Sequence, residues 1–355
     1  MLIDWLTARL PFEHIHPSLV AHFRAYGERV QCIDLATGEV KWEKAGWESI
    51  RSDSHALVFR VGTDALWLQG SPARVIGDGC NVFSSGPSAA LDLPGCLRSM
   101  VGMFCRQLSV LIPTDPQLWK VSRIDVTQNL LLPDLASVRA ALAVLRGCEG
   151  GRYRVSQTAG DTVYWSQKSQ LRSGKAYAKG PHLTYQLKNR KYKGPDYTPS
   201  KIEKANRLLR LELKLGGQWF RERSKHKWFD LTPELIRAEW ESYFSRMIGD
   251  AAMQKDDDVK TRIYSVYLKD QDGAPVKIKD TQARAAYAMW LLIHSHGWQV
   301  TRDTTSKSTW YRNLKILHAA GLGDLDISHG KVVHFRQKII EAQRVNSWSD
   351  ISLAA

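Results

Sequence analysis

Two segments of the chain alternate apolar and polar residues with period two, the pattern of a strand that keeps one face in a core. In Leu209 to Leu215 the leucines at 209, 211, 213 and 215 share one face, and Arg210, Glu212 and Lys214 share the other. In Val121 to Thr127, Ser122, Ile124 and Val126 oppose Arg123, Asp125 and Thr127. A shorter piece, Lys175 to Lys179, sets Ala176 and Ala178 against Lys175, Tyr177 and Lys179, although five residues do not separate strand from helix. As strands of one sheet, the three would place two carboxylates, a tyrosine and several cations on one polar face. Asp134 is positioned to cap a helix whose Leu135, Val138, Leu142 and Leu145 form an apolar stripe ending near Gly147. This succession predicts an α+β fold, an antiparallel sheet with packed helices. The stretch Met247 to Asp258, with Gly249 and three consecutive aspartates, reads as a connection. Helical patterns near Thr281 to His294 and Ser306 to Ala320 then predict a small helical C-terminal domain, with helix-turn-helix as one arrangement. The expected division is 1–245, a linker region over 246–275, and 276–355.

A length of 355 residues suits about two domains, and 43% hydrophobic with 24% charged residues is ordinary globular composition. Charge changes the picture. Lys and Arg number 50 against 36 Asp and Glu, a net +14 that points to a polyanionic partner, nucleic acid first. Between Ser166 and Trp228 stand 17 Lys and Arg but only 4 Asp and Glu, nearly all of that excess. Tyrosines and tryptophans interleave with these cations, which suits a single strand whose bases lie on rings while cations follow phosphates. Arg172, Lys188, Arg190, Lys191, Lys193 and Arg210 are the candidate contacts; a solvated basic surface over buried rings is the plain alternative. The five cysteines, Cys32, Cys80, Cys96, Cys105 and Cys148, show no CxxC spacing, which argues against a disulfide framework and for a reducing cytoplasm. The opening MLIDWLTARLPF is broken by Asp4 and Arg9 and does not read as a signal peptide, and no run is apolar enough to span a membrane.

Cutting and rejoining DNA without ATP requires a covalent intermediate, and a tyrosine attacking phosphorus conserves the bond energy. A phenol of ordinary pKa near 10 needs a nearby cation or metal to act at neutral pH. Tyr177, between Lys175 and Lys179, is so placed, although the same string also suits a structural tyrosine. Asp125 and Glu212 offer the hard oxygens that suit Mg²⁺ or Mn²⁺, with pairing to Arg123 or Arg210 in a surface ion network as the alternative. His14-Ile15-His16 matches a His-hydrophobic-His metal pattern, but Pro17 follows at once and the segment lies far from the basic region. His294-Ser295-His296 lacks the apolar middle residue and reads as the end of a helix.

Several segments, in order, carry a resemblance: LTARLPF near the start, GSPARVIGDGCNVFSSG at 70 to 86, SRIDVT at 122 to 127, TVYWSQKSQLRSGKAYAKG at 162 to 180, RLLRLELKL at 207 to 215, and STWYRNLKILHAAGL at 308 to 322. The chain resembles the gene II/X replication initiators of filamentous bacteriophages. The resemblance implies a rolling-circle nickase that cuts one strand of origin DNA, stays attached through a 5′-phosphotyrosine, and later rejoins it. It assigns the nucleophile to Tyr177, with Lys179 and Lys175 stabilising charge, and favours Asp125 and Glu212 as ligands of Mg²⁺ or Mn²⁺. It also implies a bacterial cytoplasm and a host helicase, DNA polymerase and single-strand binding protein as partners. One departure stands out: where the family commonly reads Gly-His-Asn-Val-Phe, this chain has Gly79-Cys80-Asn81-Val82-Phe83. That departure gives weight to a rival, an origin-binding regulator that cuts nothing. A tyrosine recombinase is a weaker rival, since no His-x-x-Arg box precedes a C-terminal tyrosine.

Overall fold

The computed structural model describes residues 1–25, 29–51, 56–76, 82–146, 160–188, 197–222, 227–248, 256–270, 273–323, 327 and 342–352. The first part of the chain runs β1 (Leu2–Pro11), α1 (Pro17–Ala25), β2 (Arg29–Ile33), β3 (Val40–Ala45), β4 (Glu48–Arg51), β5 (Ala56–Val61) and β6 (Ala65–Gly70). Three helices follow, α2 (Pro72–Ile76), α3 (Gly86–Ala89) and α4 (Leu93–Leu108), then β7 (Lys120–Leu131), α5 (Leu135–Arg146), β8 (Thr162–Trp165) and β9 (Arg172–Ala178). Next come α6 (Lys179–Lys188), α7 (Pro199–Asn206), β10 (Leu208–Leu215), α8 (Gly217–Glu222) and α9 (Pro233–Ile248). The remainder is α10 (Asp256–Tyr264), the hairpin β11 (Tyr267–Lys269) and β12 (Pro275–Lys277), α11 (Asp280–His296), α12 (Trp298–Thr304), α13 (Lys307–Ala319) and β13 (Gln343–Val345).

Nine strands form one sheet, eight of them in the order β4-β5-β6-β1-β7-β10-β9-β8 with each neighbouring pair antiparallel and the ninth, β13, paired with β7, so the α+β expectation holds. The leucines of β10 alternate as expected: 209, 211, 213 and 215 enter the main core, with Ile124 and Val126 of β7 and Ala176 and Ala178 of β9 beside them. Helices α4, α5 and α9 supply the opposing wall through residues such as Met100, Phe104, Leu142, Trp240 and Phe244. Asp134 accepts from the amide of Ser137 at 2.7 Å, capping α5 where the sequence placed the cap.

Two bulges adjust the pattern. Between Thr7 and Ala8 the partner on β7 jumps from Arg123 to Val121, so Ser122 is the extra residue and Val121, not Ser122, joins the apolar core. Between Ile3 and Trp5 the extra residue is Asp4, whose carboxylate the bulge aims at the polar face. β9 ends at Ala178; Lys179 opens α6 and does not continue the strand, because the chain turns into a helix there.

A second apolar cluster unites α10, α11 and α13 through Val259, Ile263, Ala286, Trp290, Leu314 and Leu317. The region read as a linker therefore holds a packed helix and a hairpin, while 249–255 lie outside the described residues. Between the two helical patterns a further helix, α12, buries Trp298 against Trp310, with centroids 4.9 Å apart; at seven residues it is too short to show a period. The chain then returns to the first unit: β13 pairs with β7, Val345 opposite Asn129, on the edge that β1 uses from Thr127 onward. Val345 and Ile351 join Val82, Leu183, Ala205 and Leu208 in a third cluster over the far end of β7. Arg344 pairs with Glu241 of α9 at 2.8 Å, tying the returning segment to the helix from which the chain leaves.

Tyr243 of α9 packs so closely on β9 that a Cβ at Gly174 would stand 2.5 Å from its ring. Gly174→Ala should therefore cost about 1–3 kcal/mol through overpacking, read as a lowered urea midpoint with unchanged slope.

Candidate nucleic-acid cleavage site

Strand register gathers the polar side chains. Arg210 of β10 stands opposite Tyr177 of β9 on one side and Asn129 of β7 on the other, and Glu212 stands between Lys175 and Thr127. Arg210 is fully buried. Its Nε donates to Asn129 Oδ1 at 2.8 Å, Nη1 lies 3.4 Å from Asp4 Oδ2, and Nη2 donates to the Val82 carbonyl. The sequence reading of Arg210 as a phosphate contact is corrected: no solvent-borne group reaches it, and it anchors the site from within.

Tyr177 is 3% exposed, and burial pushes its phenol above the ordinary value; the nearby Arg210 pulls the other way. The Lys175 ammonium lies 4.1 Å over the Tyr177 ring, 3.9 Å from Glu212. Lys179, expected beside Lys175 on a strand, is instead the buried first residue of α6, its ammonium 5.7 Å from the ring centre. His182, one turn further on, has its ring centre 5.1 Å from that of Tyr177. Burial, then Lys179, Lys175, Arg210 and Arg74, push it down to about 2, so it is a neutral imidazole.

Asp125 is buried, and both its oxygens take Arg123, at 2.8 and 2.5 Å. Burial still raises its carboxyl, against the pull of Arg123 and with a push from Asp4. Burial also pushes Glu212 up to about 7, opposed by Lys175 and aided by Asp125 and Asp4. Three carboxylates thus share one buried field, and the buried Thr127 hydroxyl on the same face has no hydrogen-bond partner among the described residues. In kind these oxygens fit a hard divalent cation. Among the described residues, however, no three His, Cys, Asp or Glu side chains are grouped closely enough to hold a metal ion. Arg123, Lys175 and Arg210 neutralise the carboxylates in this arrangement.

The remaining candidates are dispersed. Arg172 pairs with Glu239 of α9 at 3.3 Å, and Lys188 is exposed at the end of α6. Arg190, Lys191, Lys193 and Cys80 lie outside the described residues. His14 faces Glu13 at 3.4 Å, and His16 bonds Ser18 at 2.7 Å. His294 packs on Trp290 near the end of α11. Asp4, Thr127, Asn129 and His182 were not singled out from the sequence. Only Thr127 and Asn129 were signalled there, by continuing the period of Arg123 and Asp125.

A family model for the N-terminal part of the phage replication-associated protein of the gene II type matches residues 2–234. A replication-associated protein of that type from Enterobacteria phage I2-2 is 24% identical over 340 residues, covering 90% of this chain and 87% of its own. A solved rolling circle replication initiator protein from Geobacillus stearothermophilus shares 12% identity over 63% of this chain and 76% of its own, with a TM-score of 0.27. At that score the backbones differ too much for residues to be transferred between them. No helix among the described residues is long and apolar enough to cross a membrane.

Native Glu212 holds its proton to about pH 7, whereas the unfolded carboxyl releases it near 4.5. The folded state binds the extra proton in that window, so this group's contribution to stability falls as pH rises from about 4.5 to about 7. Glu212→Gln should therefore flatten that fall, with urea midpoints closest to wild type near pH 5 and relatively higher near pH 8.

Proposed function

The chain belongs to the phage replication-associated protein family of the gene II type and is of the rolling-circle initiator type; from that premise we propose that it is a site-specific single-strand DNA endonuclease and strand-joining enzyme acting through Tyr177. The observation that carries the reading is a tyrosine set opposite a buried guanidinium, with two lysine ammonium groups near its ring, on the sheet face that also holds Asp4, Asp125 and Glu212. In the proposed step the Tyr177 oxygen attacks phosphorus and gives up its proton. The bond from phosphorus to the 3′ oxygen breaks, that oxygen leaves as a 3′-hydroxyl after gaining a proton, and the 5′-phosphoryl remains on the tyrosine. Attack by a 3′-hydroxyl on the phosphotyrosine reverses these changes and rejoins the strand without ATP. Arg210 favours the phenolate, and Lys175 and Lys179 offset the charge that develops on the phosphorane. Lys175 must shift for a phosphodiester to reach the ring it covers.

Asp125 and Glu212 are the residues proposed to hold Mg²⁺ or Mn²⁺. Such an ion, when bound, polarises the scissile phosphate. The substrate is then origin DNA, supercoiled or single-stranded. With the family resemblance come host polymerase, helicase and single-strand binding protein, and a bacterial cytoplasm.

A non-catalytic origin-binding regulator is the second reading, favoured by the burial of Tyr177 and by the capture of both Asp125 oxygens by Arg123. Supercoiled origin plasmid with Mg²⁺ separates the two, since an enzyme yields nicked circles and a regulator yields only retarded plasmid. Tyr177→Phe should abolish nicking and the covalent adduct while origin binding persists; nicking at the wild-type rate would move the role to another tyrosine. Asp125→Asn and Glu212→Gln should each weaken cleavage at limiting Mg²⁺, with partial recovery in excess Mn²⁺. Full activity from both would leave these carboxylates as an ion network.

A further inference from the structure

Far from Tyr177, where β1 ends and β7 begins, the surface encloses a pocket of about 690 Å³. Its cations are Arg9, Lys120, Arg221 and Lys227, and no carboxylate is among its lining residues. Lys120, Arg221 and Lys227 are exposed, and none forms an ion pair among the described residues. The walls between them are rings, chiefly Trp67, Trp219 and Trp228. Arg9 is paired with Asp64 at 3.2 Å, but three exposed cations without an ion pair among the described residues, set beside indoles, suit a ligand that is both anionic and flat.

The pocket also continues a pattern along the polar face. Arg123 lies 5.6 Å over Trp5, Arg9 lies 5.4 Å over Trp67, and Arg60 lies 5.0 Å over Trp67 and 4.9 Å over Trp47. Arg123 adjoins the Asp125 end of the cleavage site, and Arg9 and Trp67 line the pocket. From Asn129, beside Arg210, to Lys120 is nine residues of β7, about 30 Å at roughly 3.4 Å per residue. A guanidinium and indole ladder thus joins the two places.

We propose that this pocket is a second, non-catalytic site that holds bases of single-stranded DNA, and that the strand passing Tyr177 reaches it along the Trp5 and Trp67 ladder. Bases stack on the half-buried Trp67 and Trp228, and phosphates meet Lys120, Arg221 and Lys227, a sequence-tolerant mode of recognition. The site rests on the endonuclease reading only for the reason a single strand is present; its own chemistry selects the ligand.

The test is binding of a twenty-nucleotide oligothymidylate by the full chain, without added metal, followed by fluorescence anisotropy. Lys120→Glu, Arg221→Glu and Lys227→Glu combined should weaken binding about tenfold or more and lower the slope of log K against log salt by about two. An abasic oligonucleotide of equal length should bind wild type about tenfold more weakly than oligothymidylate, and Trp67→Ala should shrink that difference. Unchanged affinity in the triple variant overturns the site. So does equal binding of the abasic strand, or an equal loss toward duplex DNA of the same length, which would make the patch an unspecific cationic surface. Plasmid nicking is scored separately: its absence with oligonucleotide binding intact overturns the endonuclease reading and leaves this site standing.

Discussion

A guanidinium with no access to water must find every partner inside the protein, and the arrangement of this sheet follows from how Arg210 does so. Its donors reach Asn129 on β7, Asp4 on the bulge of β1 and the Val82 carbonyl ahead of α3, and strand register sets Tyr177 of β9 opposite it. Four segments distant in sequence are thereby held in one register around one charge. Removing a partner from such a buried pair typically costs about 3–5 kcal/mol, because the remaining charge is stranded. The same charge favours the phenolate of the tyrosine opposite it, so the group that anchors the sheet also acts on the proposed nucleophile.

Around that anchor the site is poised between two neutralisation schemes. Asp4 raises the proton affinity of both Asp125 and Glu212, and protein cations balance the three carboxylates: Arg210, Arg123 and Lys175 respectively. Arg123 is 41% exposed and Lys175 23%, so both can swing outward, whereas Arg210 cannot. Exchange of those two mobile cations for a phosphate-bound metal would free Asp125 and uncover the tyrosine ring together. The burial that raises the Tyr177 phenol also keeps it from water.

The repeating parts of this architecture were legible in the sequence. Alternating leucines in β10 and the apolar stripe of α5 bury at intervals that the backbone geometry imposes, so period alone located them. The site was legible only where it rides on those periods, as Asp125, Glu212 and Tyr177 do. Asp4 enters through a bulge that breaks alternation, and its neighbours give no sign of it. Arg210 reads as a surface cation because its strand face is polar; only its contacts with Asn129, Asp4 and the Val82 carbonyl show that the face is closed. Lys179 reads as a strand residue because the strand stops one position earlier. The pairing of β13 with β7 was out of reach, since three residues without a period carry no local signal of a partner so distant.

That distant pairing sets an order of assembly. The hydrogen bond from Gln128 to the Val345 carbonyl closes a loop of 217 residues, and the whole second apolar cluster lies within it. Contacts of such separation are slow to find by diffusion of an open chain. Compaction of α10 to α13 shortens the search, because a folded insert brings its two roots toward each other, where Arg344 and Glu241 can clasp. During synthesis the edge of β7 beyond Thr127 must wait, unpaired, until the helical insert has been made. The helices thus serve as a spacer that folds itself, and the sheet is completed last by the chain that emerges from them.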